Sequence, residues 1–339
     1  MAHARISANL PPDIDPTKAP IAFGKRALPK LNEELGSPEL LTQQRALMAL
    51  CDLVHDPENV CQAVEIGFPD NLKPLLLHND NTVRQKTAEV LYVMATHSVG
   101  RQGLIQNGVI SALAELLDDP VDMCRKNTHH VFEMVAKLPE GAVGILRAGL
   151  IPLLVSKLKT EPDEIQELIL DTLSNSLRVE ASAAVATGAI AILKEKLTHT
   201  SVAIKSKAAW VLLEIGTHPE GKSRLCEEVI PALVSLLGDT DPEVQASATG
   251  ALMFAAVKPQ GRFAALGAEA IPPLLKLVAE ETSKARLSAI KALTMLAEVP
   301  EGRRTLLGHT DTFQRCLDDP SEAVNRAART AISVIQWKP

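Results

Sequence analysis

Apolar residues recur along this chain at two interleaved fixed positions. Leu31, Leu72, Leu113, Leu154, Leu193, Leu233, Leu274 and Phe313 follow one another at intervals of 41, 41, 41, 39, 40, 41 and 39 residues. A second series, Leu50, Leu91, Phe132, Leu173, Leu212, Leu252, Leu293 and Ile332, keeps the same intervals 19 residues further on. Two ladders in phase over eight copies identify an internal repeat, and a period of about 40 residues belongs to stacked-repeat architectures. Between the ladders the apolar spacing follows the helical period.

The unit after Gly149 shows the pattern. Leu150 to Leu158 reads as a short apolar helix with Pro152 in its first turn, where the missing N–H costs nothing. Thr160-Glu161-Pro162-Asp163 breaks it, Glu164 to Leu177 forms a longer amphipathic helix, and a third short helix from about Glu180 to Thr187 ends at Gly188. Gly67, Gly108 and Gly149 hold the corresponding place in earlier units, as expected for residues that end a helix with positive φ. The long helix also carries a column of slim residues, Ala46, Thr87, Thr128, Ala208, Ala248, Ala289 and Ala328, with Ile169 the bulky exception. Small side chains at one fixed position let successive helices approach to the ~8 Å end of the usual range. Eight units at about 10 Å each would give a rod on the order of 80 Å.

Residues 1–24 stand outside this pattern. Pro11, Pro12, Pro16 and Pro20 crowd together without a helical period, so an extended leader is expected, followed by one solenoid over 25–339. A 46% hydrophobic content supplies a core, and only 3% aromatic residues means Leu, Ile, Val and Ala build it. The net charge of -6 argues against a phosphate-backbone partner, so no nucleic acid is expected. The five cysteines are scattered without framework spacing, which fits a reducing compartment such as the cytoplasm. No stretch of eighteen uninterrupted apolar residues is present, so no membrane span is expected.

Candidate chemistry is sparse. Gly216-Thr217-His218-Pro219-Glu220-Gly221-Lys222-Ser223 satisfies the pattern of a phosphate-binding loop, but that chemistry needs a preceding strand, and the residues before Gly216 carry a helical pattern. Pro139-Glu140-Gly141, Pro259-Gln260-Gly261 and Pro300-Glu301-Gly302 repeat the turn, so it reads as a corner of the repeat. His129 and His130 are adjacent on a helix and point in different directions, which disfavours a shared metal. No nucleophile elbow or Cys-rich ligand set accompanies them. No catalytic residue, cofactor, metal or small-molecule substrate is expected.

The 41-residue period, the three-helix unit, the glycine before Ile-Pro-x-Leu-Val and the alanine column resemble armadillo repeats over residues 25–337, with HEAT repeats second. The resemblance implies an all-α, right-handed armadillo-type solenoid of about eight repeats whose long helices line a partner-binding groove. The family's peptide receptors carry Trp on each long helix and Asn one turn later. Here the Trp column reads Met48, Glu89, His130, Asp171, Trp210, Gly250, Lys291 and Thr330, and the Asn column Asp52, Val93, Met134, Asn175, Glu214, Phe254, Met295 and Val334. Only Trp210 and Asn175 match, in different repeats, so recognition of nuclear-import signals is not expected. His130, Met134, Asp171, Asn175, Trp210, Glu214, Phe254, Lys291 and Met295 are the candidate partner-groove residues. Trp210, Phe254 and Met295 form either an apolar patch or half-buried packing.

Asp13-Ile14-Asp15-Pro16-Thr17-Lys18-Ala19-Pro20-Ile21-Ala22-Phe23-Gly24-Lys25-Arg26-Ala27-Leu28-Pro29-Lys30-Leu31 is similar to the radial-spoke branch of the armadillo proteins. That similarity implies a structural subunit of the axoneme of motile cilia and sperm flagella, in contact with other radial spoke proteins on doublet microtubules. The alternative is a soluble adaptor or assembly factor that holds an extended peptide in its groove.

Overall fold

A repeat of this kind stacks only if its ladder positions leave water, and they do. All eight members of the first ladder are fully buried, and so are seven of the second. Ile332, the eighth, is half-buried, because no further helix follows its own among the described residues. The slim column, Ile169 included, is fully buried as well. The computed structural model describes residues 26–280 and 284–338, and every element in them is helical. The expected leader over 1–24 lies outside the described residues.

The chain divides into two compact units at Leu150. In the first, the long helices are Leu40–Leu53, Asn81–Thr96 and Asp122–Ala136. In the second they are Asp163–Leu177, Val202–Thr217, Pro242–Ala255, Arg286–Leu296 and Glu322–Ile335. Within each unit successive long helices lie side by side, with short helices such as Pro219–Glu228 and Ile230–Leu236 filling the interval.

Polar bonds recur at matching places too, in several of the repeats. In the first turn of the long helix, one side chain reaches back to a loop carbonyl. Arg84 donates to His78 O at 2.9 Å, Arg125 to Asp119 O at 2.7 Å, Gln166 to Glu161 O at 2.7 Å and Gln245 to Asp239 O at 2.7 Å. Three ion pairs then tie one repeat to the next: Arg84–Asp119 at 2.6 Å, Lys205–Asp239 at 2.6 Å and Arg286–Asp319 at 2.5 Å. Asp119 is pushed upward by burial, but the Arg84 bond and the Val121 N–H outweigh this and hold its carboxyl below the usual carboxylate range. Asp239 is depressed chiefly by the hydrogen bond from Lys205.

A carboxyl whose folded pKa is depressed stabilises the fold fully above its unfolded value, about 4, and loses that contribution as pH falls through the folded value. The wild type is therefore expected to lose melting temperature below about pH 4 more steeply than Asp239→Asn, whose amide does not titrate there. Thermal melts by circular dichroism at a series of acid pH values check this, and parallel curves would remove Asp239 from the account.

Gly67, Gly108, Gly149 and Gly188 sit at φ 87°, 67°, 67° and 75°, as the sequence predicts. In a later repeat the left-handed residue is Glu269, at φ 57°, the one non-glycine with positive φ among the described residues. A side chain there costs about 1–2 kcal/mol. Glu269→Gly is expected to raise stability by about 1 kcal/mol after the extra chain entropy of glycine is subtracted, read by urea unfolding.

Candidate functional site

Most positions of the two columns singled out in the sequence are exposed or half-buried on the long helices, whereas Val93, Glu214 and Gly250 are buried. In the first unit His130 stacks on Tyr92, with ring centroids 4.4 Å apart and planes inclined by 22°. Burial lowers the His130 pKa below that of free histidine. Neighbouring His129 is fully buried, so the two imidazoles lie in different environments. Met134, one turn on, touches the Lys137 ammonium at 3.5 Å. Tyr92 also lines a cleft of ≈ 370 Å³ with His55, Lys86, Glu89, Met123 and Asn127.

In the second unit Asp171, Asn175 and Trp210 share one cleft of ≈ 350 Å³ with Arg178, Lys207 and Glu243. Trp210 is 42% exposed, which gives the cleft an apolar wall that is open to solvent. The polar groups around it are already engaged. Lys207 reaches Asp171 at 2.7 Å and Glu167 at 3.5 Å. Arg178 bonds the buried Glu214 at 3.1 Å, so Glu214 serves as a fixed partner to that arginine. Asn175 donates to the Asp171 carbonyl at 2.9 Å, within its own helix.

Trp210, Phe254 and Met295 do not share one cleft. Phe254 is half-buried, with the Lys222 ammonium 5.9 Å from its ring centroid, and Met295 lines a separate cleft with Lys291. Of the positions read two per helix, Asp171, Asn175 and Trp210 line the Trp210 cleft, and Arg178 and Lys207, which line it as well, were not among them. These lie one turn from the columns, and the helical spacing i, i+3, i+4 points to them.

The Gly216–Ser223 stretch is a corner between two helices. Gly216 lies in Val202–Thr217, His218 caps it, and Pro219–Glu228 follows at once. The glycine of the corner is a close approach: a Cβ on Gly221 would fall 2.0 Å from Ile215 O, and on Gly141, Gly261 and Gly302 it would meet the equivalent carbonyl at 2.0–2.3 Å. The next residue caps the finished long helix where it is arginine. Arg101, Arg262 and Arg303 donate to Ala95 O, Ala256 O and Ala297 O at 2.9, 3.1 and 3.0 Å. Lys222 occupies that capping position. Among the described residues no group of three or more His, Cys, Asp or Glu side chains is placed to hold a metal ion, and no single helix is long and apolar enough to cross a membrane.

A crystal structure of an engineered protein superimposes on 91% of this chain and 78% of its own, with a TM-score of 0.85 at 24% identity. A designed armadillo repeat protein matches 67% of this chain and 99% of its own, with a TM-score of 0.62 at 24% identity. This chain is an armadillo-type α-solenoid. Another designed armadillo repeat protein, solved in complex with a (KR)4 peptide, matches the solenoid over 67% of this chain and 99% of its own, with a TM-score of 0.63 at 25% identity. Residues 191–294 of the solenoid also match the HEAT repeats family model. Radial spoke protein 14 of Chlamydomonas reinhardtii is 30% identical over 140 residues, which cover 38% of the solenoid chain and 36% of that protein. The solenoid thus matches about a third of that relative's length.

Proposed function

We propose that the protein is a non-catalytic scaffold subunit of the axonemal radial spoke, supporting the motility of cilia and sperm flagella through contacts with other spoke proteins on doublet microtubules. The similarity to Radial spoke protein 14 carries this reading. The fold supports it physically, since a stack of helical repeats offers a long surface for several simultaneous contacts. The corner at Gly216–Ser223 leaves the phosphate-loop pattern without the strand its chemistry needs.

Detergent and salt extraction of ciliated cells, followed by detection of the protein in axonemal and soluble fractions, tests the proposal. Retention with spoke proteins is the expected result, and complete release into the soluble pool would overturn a permanent spoke role. A second reading, an adaptor or assembly factor that binds an extended peptide, is favoured by the open Trp210 cleft and by the designed relative solved with a peptide. Under that reading the protein partitions to the cytoplasm.

A further inference from the structure

The long helices Arg286–Leu296 and Glu322–Ile335 lie side by side and open a cleft of ≈ 430 Å³, within the ~300–1,000 Å³ span of ligand-sized clefts. Leu287, Lys291 and Met295 face it at i, i+4 and i+8 of one helix, and Ala323, Arg326 and Ala327 at i, i+3 and i+4 of the other. The two alanines keep one wall low. Leu287 and Met295, both half-buried, give the cleft an apolar floor, and the methionine thioether adapts readily to a bound side chain.

The rim differs from that of the Trp210 cleft. There Lys207 and Arg178 are neutralised by Asp171 and Glu214. Here two exposed cations flank an apolar floor, and among the described residues no carboxylate lines the cleft. Arg326 pairs with Glu322 at 3.7 Å, but those side chains are 71% and 83% exposed, so the pair is weak and easily exchanged. In a chain of net charge -6 this basic rim is a local reversal of sign. A basic segment would be repelled by it, and a bare anion would leave the floor uncovered.

We infer that this cleft docks an acidic peptide segment, which buries one bulky aliphatic or aromatic side chain between Leu287 and Met295 and sets flanking carboxylates against Lys291 and Arg326. The inference rests on the reading that the exposed face of the long helices is the partner-binding face. Partner recognition then combines an apolar anchor, which supplies affinity, with rim charges that set sign and orientation.

The test is fluorescence anisotropy of the full-length protein with three fluorescein-labelled peptides, EELFEE, EEAAEE and KKLFKK. EELFEE is expected to bind, with EEAAEE weaker by about tenfold or more and KKLFKK showing no saturable binding. The double variant Lys291→Glu, Arg326→Glu changes two exposed side chains and should melt like the wild type, yet lose about tenfold or more in affinity for EELFEE. Equal affinity for EELFEE and EEAAEE, tighter binding of KKLFKK, unchanged affinity in the folded double variant, or no binding of EELFEE up to about 1 mM would each overturn the assignment. The outcome is separable from the spoke proposal. Axonemal retention without peptide binding removes only the cleft, and peptide binding by a protein that extracts as soluble removes only the spoke role.

Discussion

Gly221→Ala is expected to destabilise the second unit by about 3 kcal/mol, an effect at the upper end for a single added methyl. The new Cβ would stand 2.0 Å from the Ile215 carbonyl oxygen and 2.6 Å from Ile215 Cγ2. Both atoms belong to the end of the long helix Val202–Thr217, so no flexible side-chain tip can swing aside. Relief requires the two helices of the corner to part. That would break or stretch His218 N–H to Ile215 O at 3.1 Å and Lys222 N–H to His218 O at 3.0 Å.

Lys222→Ala is the informative companion. It removes a distant contact with the Phe254 ring and a partly solvated charge, worth no more than about 0.5–1 kcal/mol. Urea unfolding of the two variants separates the explanations. A large loss for Gly221→Ala with little for Lys222→Ala is the signature of a packing corner. The opposite order would show that Lys222 holds something the corner account omits.

The regularity of the chain explains how much of this fold was legible beforehand. Ladder positions, the left-handed glycines and the slim column each recur with the repeat, so every copy independently reported the same environment. Information that does not recur was harder to read. Glu269 takes the glycine's backbone conformation without the residue that announces it. The Asp119, Asp239 and Asp319 ion pairs appear in only some repeats, alternating with positions that hold His78 or His199, whose ring nitrogen accepts the equivalent loop N–H.

The candidate site was less legible than the fold for the same reason. Two columns taken from peptide-binding armadillo proteins pick one residue per turn, whereas a cleft between helices is closed by neighbours three and four residues away. Lys291 and Met295 were on those columns, but Arg326, Leu287 and Ala327, which give their cleft its sign and depth, were not. Glu214 was on a column too, and the structure spends it on Arg178. Side-chain pairing of that kind depends on which neighbour reaches first, and no periodicity encodes it.

Leu233→Asp should have the largest effect of all, a loss of about 4–5 kcal/mol or more that opens its own repeat before the rest of the chain. Leu233 is fully buried on Ile230–Leu236, and its environment is the apolar ladder. A carboxylate there must either remain charged without a partner or take up a proton, and both choices cost several kcal/mol before the lost leucine packing is counted. In a repeat array each unit is stabilised chiefly by its neighbours, so damage spreads outward from the altered copy. Hydrogen exchange should therefore rise first in Pro219–Glu228 and Pro242–Ala255, while Asn81–Thr96 keeps its protection. Leu307→Asp provides the control, since Leu307 is 50% exposed and its aspartate stays hydrated. If both aspartates melted alike, burial on the ladder would not be what holds the repeat together. A steep loss confined to Leu233→Asp assigns the stability to the ladder and leaves the exposed helix faces free to vary for recognition.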